Sequence, residues 1–429
     1  MKPTIHEMKR DVFDQSVEYT VDAPAKGLYS LDIQATSHSN WERKGNESNL
    51  LVVEVMNEDN QACHYHIVTY MGEERYCYKL FLVFIAKGSY KVTISNKEVP
   101  VCERTIVTVH EVNLRELKLS PLETLAHQHA PVLYGRNHFS SFDNCYTDTP
   151  LALSYFMTEL SNDIIEIEYH YVFSHEDEGT PGQLLMAKWG RTLDIEYCYR
   201  VKWNRKTSEI VEARYQGPHH EDRAFTGQYV GGSHRPILQT RTTNGNFDHV
   251  IDSEYCFSIA PEIFWDHQTE PREWFMRKRP DINLVMIKEA ERQLAQNSIP
   301  MNQIASPTNY LYAYCFTDKE ESNSVIDFVY QLGGKEVSSS HDFYSPVYGF
   351  GSYSDSFSNF TIAFEYDEVQ PCLSSLCVRL LEGENITINK IEFYMLREDG
   401  MLHLVERTEQ PIILTKESSM ISIGGLSNE

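Results

Sequence analysis

The sequence predicts a mostly β protein in which two jelly-roll-like β-sandwich domains flank a central β domain, with one connector helix. The chain has 429 residues, whereas a single hydrophobic core stops growing at about 250–300 residues, so several domains are expected. Its 26 tyrosines and 20 phenylalanines suit the half-buried surface of a sheet. Short segments also alternate apolar and polar residues between glycine, asparagine and aspartate turns. We expect sandwiches at residues 1–115 and 301–429, the central domain at 116–280 and the connector helix at 281–300.

The N-terminal segment predicts a sandwich because about seven short strands follow one another at regular spacing. They are VEYTVDAP, AKGLYSLDIQATS, NLLVVEVMN, CHYHIVTYMG, YCYKLFLVFIA, GSYKVTISN and ERTIVTVHEVNL. The opening stretch from Tyr19 to Leu31, YTVDAPAKGLYSL, resembles the entry strands of jelly-roll carbohydrate-binding modules and similar accessory domains of bacterial enzymes. The resemblance implies a sandwich of that type at the N-terminus.

Two segments carry helix signals. Ser120 and Glu123 form a capping box around Pro121, which predicts a short helix from Pro121 to Gln128 at the entry to the central domain. The segment DINLVMIKEAERQLAQN has Asp281 as its predicted N-cap and apolar residues at helical spacing, so we interpret it as the connector. Strand-like segments such as YLYAYCFT and ITINKIEFYMLR follow and predict the C-terminal sandwich.

The strong negative charge narrows the range of partners. With 38 Lys and Arg against 62 Asp and Glu, the formal net charge is −24, which repels phosphate backbones and anionic lipid and argues against a nucleic-acid partner. No segment approaches the roughly 18–20 apolar residues of a membrane-spanning helix. The opening MKPTIHEMKRDVFDQ has charges where a signal peptide has its apolar core. We therefore expect a cytoplasmic protein, with a mature secreted fragment as the alternative.

The nine cysteines predict mostly reduced thiols rather than a disulfide framework. They are scattered along the chain without a CxxC motif, and an odd number cannot pair completely. Only Cys372 and Cys377, in PCLSSLC, are close enough in sequence to suggest a local loop.

A carboxylate pair marks the first candidate site in the central domain. Asp194 and Glu196 are two residues apart in a predicted strand and therefore share one face of the sheet. Carboxylates held this close either raise one pKa or recruit a cation. The alternative is a solvated strand face whose charge is balanced by Arg191 and Arg200.

Histidines and further carboxylates follow in the next loops. The strand after the carboxylate pair ends in Gly217-Pro218-His219-His220-Glu221-Asp222, and a further hairpin brings His234. Since consecutive strands tend to be neighbours in a sheet, we expect the histidines to lie near Asp194 and Glu196 at one rim. Such a mixture of ligands suits a divalent cation, Ca²⁺ or Zn²⁺. Glu176 and Asp177, in a second acidic loop, are secondary candidates, as are Glu221 and Asp222.

The order of these motifs resembles the necrosis-inducing NLP family of β-sandwich proteins, which carry a GHRHDWE heptapeptide. Asp194 and Glu196 match its D-W-E core, while Gly190-Arg191-Thr192-Leu193 stands where the family has G-H-R-H. The resemblance implies a cation held by acidic side chains and a sphingolipid headgroup as ligand. The stretch SHEDEGTPGQLLMAKWGRTLDIEYCYRV also resembles segments of uncharacterised bacterial multi-domain β proteins and implies no function.

The sequence favours a binding protein but leaves other functions open. It contains no GxSxG, HExxH, P-loop or strand-linked GxGxxG motif, so serine hydrolase, zincin and nucleotide-dependent functions have no local signature. The favoured function is binding of a polar, glycan-like ligand at the central domain, with a divalent cation and no nucleotide. The alternatives are a hydrolase acting on saccharide, which needs only two placed carboxylates, and a toxin-like or structural assembly protein. The sequence does not set the oligomeric state.

Overall fold

The computed structural model groups the chain into two compact units. Unit 1 comprises residues 1–177 and 194–264, and unit 2 comprises residues 178–193 and 265–429. The structure describes residues 10–43, 45–98, 103–136, 149–174, 181–242, 245–295, 304–317, 324–332, 334–340, 358–366, 376–408 and 410–424. No helix within these ranges is long and apolar enough to cross a membrane.

The N-terminal part of unit 1 is a sandwich of two four-stranded antiparallel sheets. Its strands are β1 (Arg10–Val12), β2 (Val17–Ala23), β3 (Gly27–Ser37), β4 (Asn49–Met56), β5 (Ala62–Thr69), β6 (Tyr76–Ile85), β7 (Gly88–Lys97) and β8 (Val107–Glu116). One sheet has the order β1-β8-β3-β6 and the other β2-β7-β4-β5. Along β2 every second residue is buried, because successive side chains of a strand point to opposite faces. The predicted sandwich is confirmed, and whether residues 1–115 fold alone stays a prediction.

The rest of unit 1 contains the capped helix and two further sheets. Its elements are α1 (Pro121–His129), β9 (Val132–Tyr134), β10 (Pro150–Glu159), β11 (Ile164–Phe173), β12 (Asp194–Asn204), β13 (Glu209–Gly217), β14 (Glu221–Ala224), β15 (Ile237–Thr240), β16 (Phe247–Asp248), β17 (Cys256–Phe257) and β18 (Ile263–Phe264). The larger sheet has the order β14-β13-β12-β11-β10-β18, and the smaller one β16-β15-β9-β17. The predicted capping box is present, since the Ser120 side chain accepts from Glu123 N and the Glu123 side chain accepts from Ser120 N.

The described part of unit 2 contains two sheets and two α-helices. Its elements are α2 (Gly182–Trp189), α3 (Pro280–Ala295), β19 (Tyr310–Thr317), β20 (Val325–Leu332), β21 (Lys335–Ser338), β22 (Asn359–Glu365), β23 (Cys377–Glu382), β24 (Asn385–Leu396), β25 (Leu402–Arg407), β26 (Ile412–Thr415) and β27 (Met420–Ser422). One sheet has the order β22-β19-β24-β25, with β26 also on β24, and the other β21-β20-β23-β27. A shared core that includes Phe328 and Phe364 joins the two sheets, as expected for a sandwich.

The grouping of the chain differs from the predicted segments at two points. Helix α2 lies in sequence between β11 and β12 of unit 1, but it belongs to unit 2. Helix α3 begins at Pro280, so Asp281 lies in its first turn rather than at the N-cap. Ile282, Val285 and Met286 of α3 are buried, so the predicted connector helix is also a packing element.

The cysteines of the described chain are free thiols, as predicted. They are Cys63, Cys77, Cys198, Cys256, Cys315 and Cys377. Cys102, Cys145 and Cys372 lie outside the described residues.

Candidate functional site

The predicted carboxylate pair is buried on the core face of the six-stranded sheet. Glu196 lies opposite Tyr171 and Asp194 lies opposite Phe173 in the β11–β12 ladder, and directly opposite residues share one face. Tyr171 and Phe173 are fully buried, and Asp194 and Glu196 are only 4% and 8% exposed. The alternative of a solvated acidic strand face is therefore wrong.

A β-bulge explains why the pair faces inward. Tyr199 pairs with Tyr169 and Tyr197 pairs with His170, which leaves Cys198 as an extra residue. Without the bulge, Asp194 and Glu196 would share the face of Arg200, because all three have even numbers. The extra residue reverses the alternation, so the carboxylates join the core face while Arg200 remains outside.

Polar side chains from three neighbouring segments surround Glu196. Gln216, at the end of β13, donates a hydrogen bond through Nε2 to Glu196 Oε2. His220 Nδ1 lies 3.6 Å from the same carboxylate oxygen. Asn246 Nδ2 lies 3.5 Å from His220 Nδ1. We call Asp194, Glu196, Gln216, His220 and Asn246 the rim site.

The rim site is closed on one side by the backbone of Gly245. This residue has φ +70°, and a Cβ added to it would lie 2.7 Å from Asp194 Oδ2 and 3.0 Å from Glu196 Cγ. Only glycine combines this backbone conformation with so close an approach. Gly245 thus lies against both carboxylates, and the following Asn246 places its Nδ2 3.5 Å from His220 Nδ1.

Two consecutive histidines hold a strained turn at the rim. His219 and His220 have φ of 62° and 57°, in the left-handed region that non-glycine residues rarely enter. They connect β13 to β14, where Gly217 pairs with Glu221, and both are exposed. Strain of this kind persists where the surroundings enforce it, and it clusters at functional sites.

The other predicted site residues lie elsewhere. Glu221 pairs with Arg223, and Asp222 pairs with Arg200 at 3.0 Å and with Arg214 at 2.6 Å. These ion pairs occupy Asp222 on the charged face of the sheet, away from the inward-facing carboxylates. Glu176 and Asp177 lie outside the described residues.

His234 is separated from the rim site. Its ring centre lies 4.9 Å from that of Trp203, near the far end of β12. Trp203 is seven residues from Glu196, which at about 3.3 Å per residue is roughly 23 Å. The structure therefore brings together Asp194, Glu196 and His220, places His219 next to His220 in the turn, and leaves His234 at the opposite end of the strand.

Sequence reasoning missed Gln216 and Asn246 as members of the site. Gln216 is the last residue but one of β13, the strand beside the carboxylates, and Asn246 directly follows the predicted Asn-Gly turn. Each occupies a strand end at the same rim, which is the signal that could have found them. Between them they add two amide groups, and each amide can both donate and accept hydrogen bonds.

The chemistry of the rim site is that of polar recognition. Carboxylates accept hydrogen bonds, amides donate and accept, and a neutral imidazole does both. Among the described residues, no three His, Cys, Asp or Glu side chains are grouped closely enough to hold a metal ion. The divalent cation at this rim stays a prediction.

Comparisons with known proteins give partial likenesses of fold. No protein-family model and no curated protein matches the sequence. A family 4 carbohydrate-binding module is similar at 7% identity and TM-score 0.18, over 24% of this chain and 61% of its own. NLPPya in complex with mannosamine is similar at 12% identity and TM-score 0.23, over 33% and 71%. A family 61 module in complex with β-1,4-galactotriose is similar at 13% identity and TM-score 0.18, over 26% and 68%. The weak resemblance to both classes of sandwich, expected from the sequence, is confirmed.

Proposed function

We propose that the protein binds a polar, glycan-like ligand through the rim site of unit 1. The observation that carries the proposal is the strained His219-His220 turn, which holds an imidazole 3.6 Å from a buried carboxylate. Backbone in this conformation costs about 1–3 kcal/mol per residue. Two such residues in succession lower the stability of the fold, so we attribute to them a functional role.

The donor and acceptor pattern of the rim site supports a ligand rich in hydroxyl groups. Glu196 offers carboxylate oxygens, and the amides of Gln216 and Asn246 offer both donors and acceptors. A sugar hydroxyl is also donor and acceptor at once, so it can bridge a carboxylate and an amide. Glu196 is largely removed from water, and a hydrogen bond to a charged, desolvated group is stronger than one to a neutral exposed group.

Affinity electrophoresis tests the proposal. Native protein is run through gels that contain one soluble polysaccharide each, drawn from mannan, galactan, xylan and glucan. We expect at least one polysaccharide to retard the wild type and to lose that effect on Glu196→Gln and on His220→Ala. Glu212→Gln is the matched control, because this carboxylate pairs with Lys202 on the neighbouring strand and lies outside the rim site.

Two results would contradict the proposal. Equal retardation of Glu196→Gln and the wild type would place binding elsewhere, and no retardation by the whole panel would reject a glycan ligand. Release of reducing sugar that Glu196→Gln abolishes would instead favour a hydrolase that uses the same carboxylates.

A further inference from the structure

Three rings form a cluster at the end of β12 opposite the rim site. The ring centre of His129 lies 4.5 Å from that of Trp203 and 5.2 Å from that of His234. His129 ends helix α1 and is fully buried. His234 is exposed on a turn that follows Gly231 and Gly232, where the structure has open space.

His129 is an unusual buried polar side chain. Neither Nδ1 nor Nε2 has a hydrogen-bond partner among the described residues, although a neutral imidazole has one donor and one acceptor to satisfy. One ring nitrogen of a neutral imidazole carries a lone pair, and no described residue occupies it at His129. Buried polar groups without a partner are rare enough to require an explanation.

We infer that His129 and His234 together bind one transition-metal dication of the Zn²⁺ or Cu²⁺ class, with water completing its coordination. Imidazole nitrogen is a preferred ligand of both metals. A metal–nitrogen distance of about 2.0–2.1 Å places the centres of two imidazoles roughly 5 Å apart on a tetrahedral Zn²⁺ ion and roughly 4.5 Å apart at neighbouring positions of a square-planar Cu²⁺ ion. The observed separation of the two ring centres is 5.2 Å.

The guanidinium of Arg235, the residue after His234, donates its hydrogen bonds to groups outside the three rings. Its Nε donates to Ala130 O at 2.8 Å and its Nη2 to Ser258 Oγ at 3.1 Å, and the guanidinium lies 4.9 Å from the centre of the Phe81 ring. With two protein ligands rather than three or four, the site is open, and His234 on its exposed turn provides the entry path.

Copper titration tests the site through the tryptophan that the two histidines flank. Untagged protein is titrated with CuCl₂ at pH 7.5 while tryptophan fluorescence is followed, and copper uptake is measured in parallel by isothermal titration calorimetry. We expect one saturable quenching phase in the wild type. His234→Gln, an exposed substitution that leaves the core intact, should weaken this phase at least about tenfold. Trp203→Phe should lose the quenching but keep the uptake.

The variant His403→Gln is the matched control, because it removes an exposed histidine that belongs neither to this cluster nor to the rim site and should leave the quenching phase unchanged. Buried His129→Phe should abolish both quenching and uptake, and circular dichroism checks that it folds. Quenching of His234→Gln at wild-type affinity, quenching retained in Trp203→Phe, or no saturable uptake by the wild type would each overturn the inference and leave the three rings as packing alone.

Discussion

The two units have sandwich-like sheets in common but bury polar side chains in different ways. Unit 1 buries histidines, and the described part of unit 2 buries none. The buried histidines are His66, His127, His129 and His170. Unit 2 buries carboxylates beside arginines, in the pairs Arg191–Glu273, Arg292–Glu289 and Arg379–Asp327, whereas the buried Glu196 of unit 1 lies beside an amide and an imidazole. The difference teaches that one architecture can accommodate interior polar groups mainly as imidazole rings or mainly as arginine–carboxylate pairs, and the choice sets how each unit responds to pH and to mutation.

The histidine content of the sequence follows the same division. Unit 2 holds His267, His341 and His403, three of the 17 histidines. The non-glycine residues with positive φ in the described chain, Asn60, Ser208, His219 and His220, also all belong to unit 1. Unit 1 therefore combines titratable interior groups with backbone strain, which are features typical of a unit that carries a site.

Breaking a buried ion pair should produce the largest effect, and it should be confined to unit 2. Arg191→Met leaves Glu273 buried without its 3.2 Å partner, and burial already raises the pKa of that carboxyl. Removal of one partner of a buried pair costs about 3–5 kcal/mol of unfolding free energy. Hydrogen exchange by mass spectrometry, which resolves β19 of unit 2 from β11 of unit 1, should show the loss in β19 only.

The double variant Arg191→Met with Glu273→Met is the control for this prediction. Two apolar side chains of similar size leave no unpaired charge, so most of the stability should return. An equal loss in β11 would show that the two units do not respond separately and would break the comparison.

Mild acid should destabilise unit 1 more than unit 2. Burial, the largest cause, lowers the pKa of His66 to about 4 and that of His129 to about 3. Below pH 6.5 the unfolded chain therefore binds protons that the folded chain does not, so stability falls as the pH falls towards these values. With an unfolded pKa of about 6.5, each ring contributes about 1 kcal/mol between pH 6.5 and 5.5, so the loss for these two rings is about 2 kcal/mol.

The same exchange measurement at pH 7 and 5.5, corrected for intrinsic exchange rates, checks the acid prediction. Protection in β11 should fall more than protection in β19. His129→Phe should remove part of the pH effect, because one of the three rings whose pKa burial lowers, His66, His127 and His129, no longer titrates. A pH effect that His129→Phe leaves whole would mean that other groups cause it.

The sequence predicted local elements better than their assembly, for physical reasons. The capping box at Ser120 and the alternation in β2 depend only on neighbouring residues, and both are confirmed. The face of Asp194 and Glu196 depends on the extra residue Cys198, whose position is set by pairing with β11. Nothing in the strand itself marks that bulge. The parallel pairing of β15 with β9 and the assignment of α2 to unit 2 likewise depend on contacts between distant parts of the chain.

The smallest expected effect concerns the strained turn, and it sharpens the link between unit 1 and its proposed site. His219→Gly relieves the left-handed conformation at φ 62°, which should stabilise unit 1 by about 1 kcal/mol and raise its melting temperature by about 2–4 °C. His219→Ala removes the same imidazole but keeps the Cβ, so it should give no comparable gain. If glycine stabilises and alanine does not, the cost lies in the backbone and not in the ring. His220→Gly should stabilise in the same way and, because its imidazole contacts Glu196, should also reduce polysaccharide retardation. An equal gain from alanine and glycine at His219 would show that the turn is not strained, and it would remove the observation on which the rim site's proposed function rests.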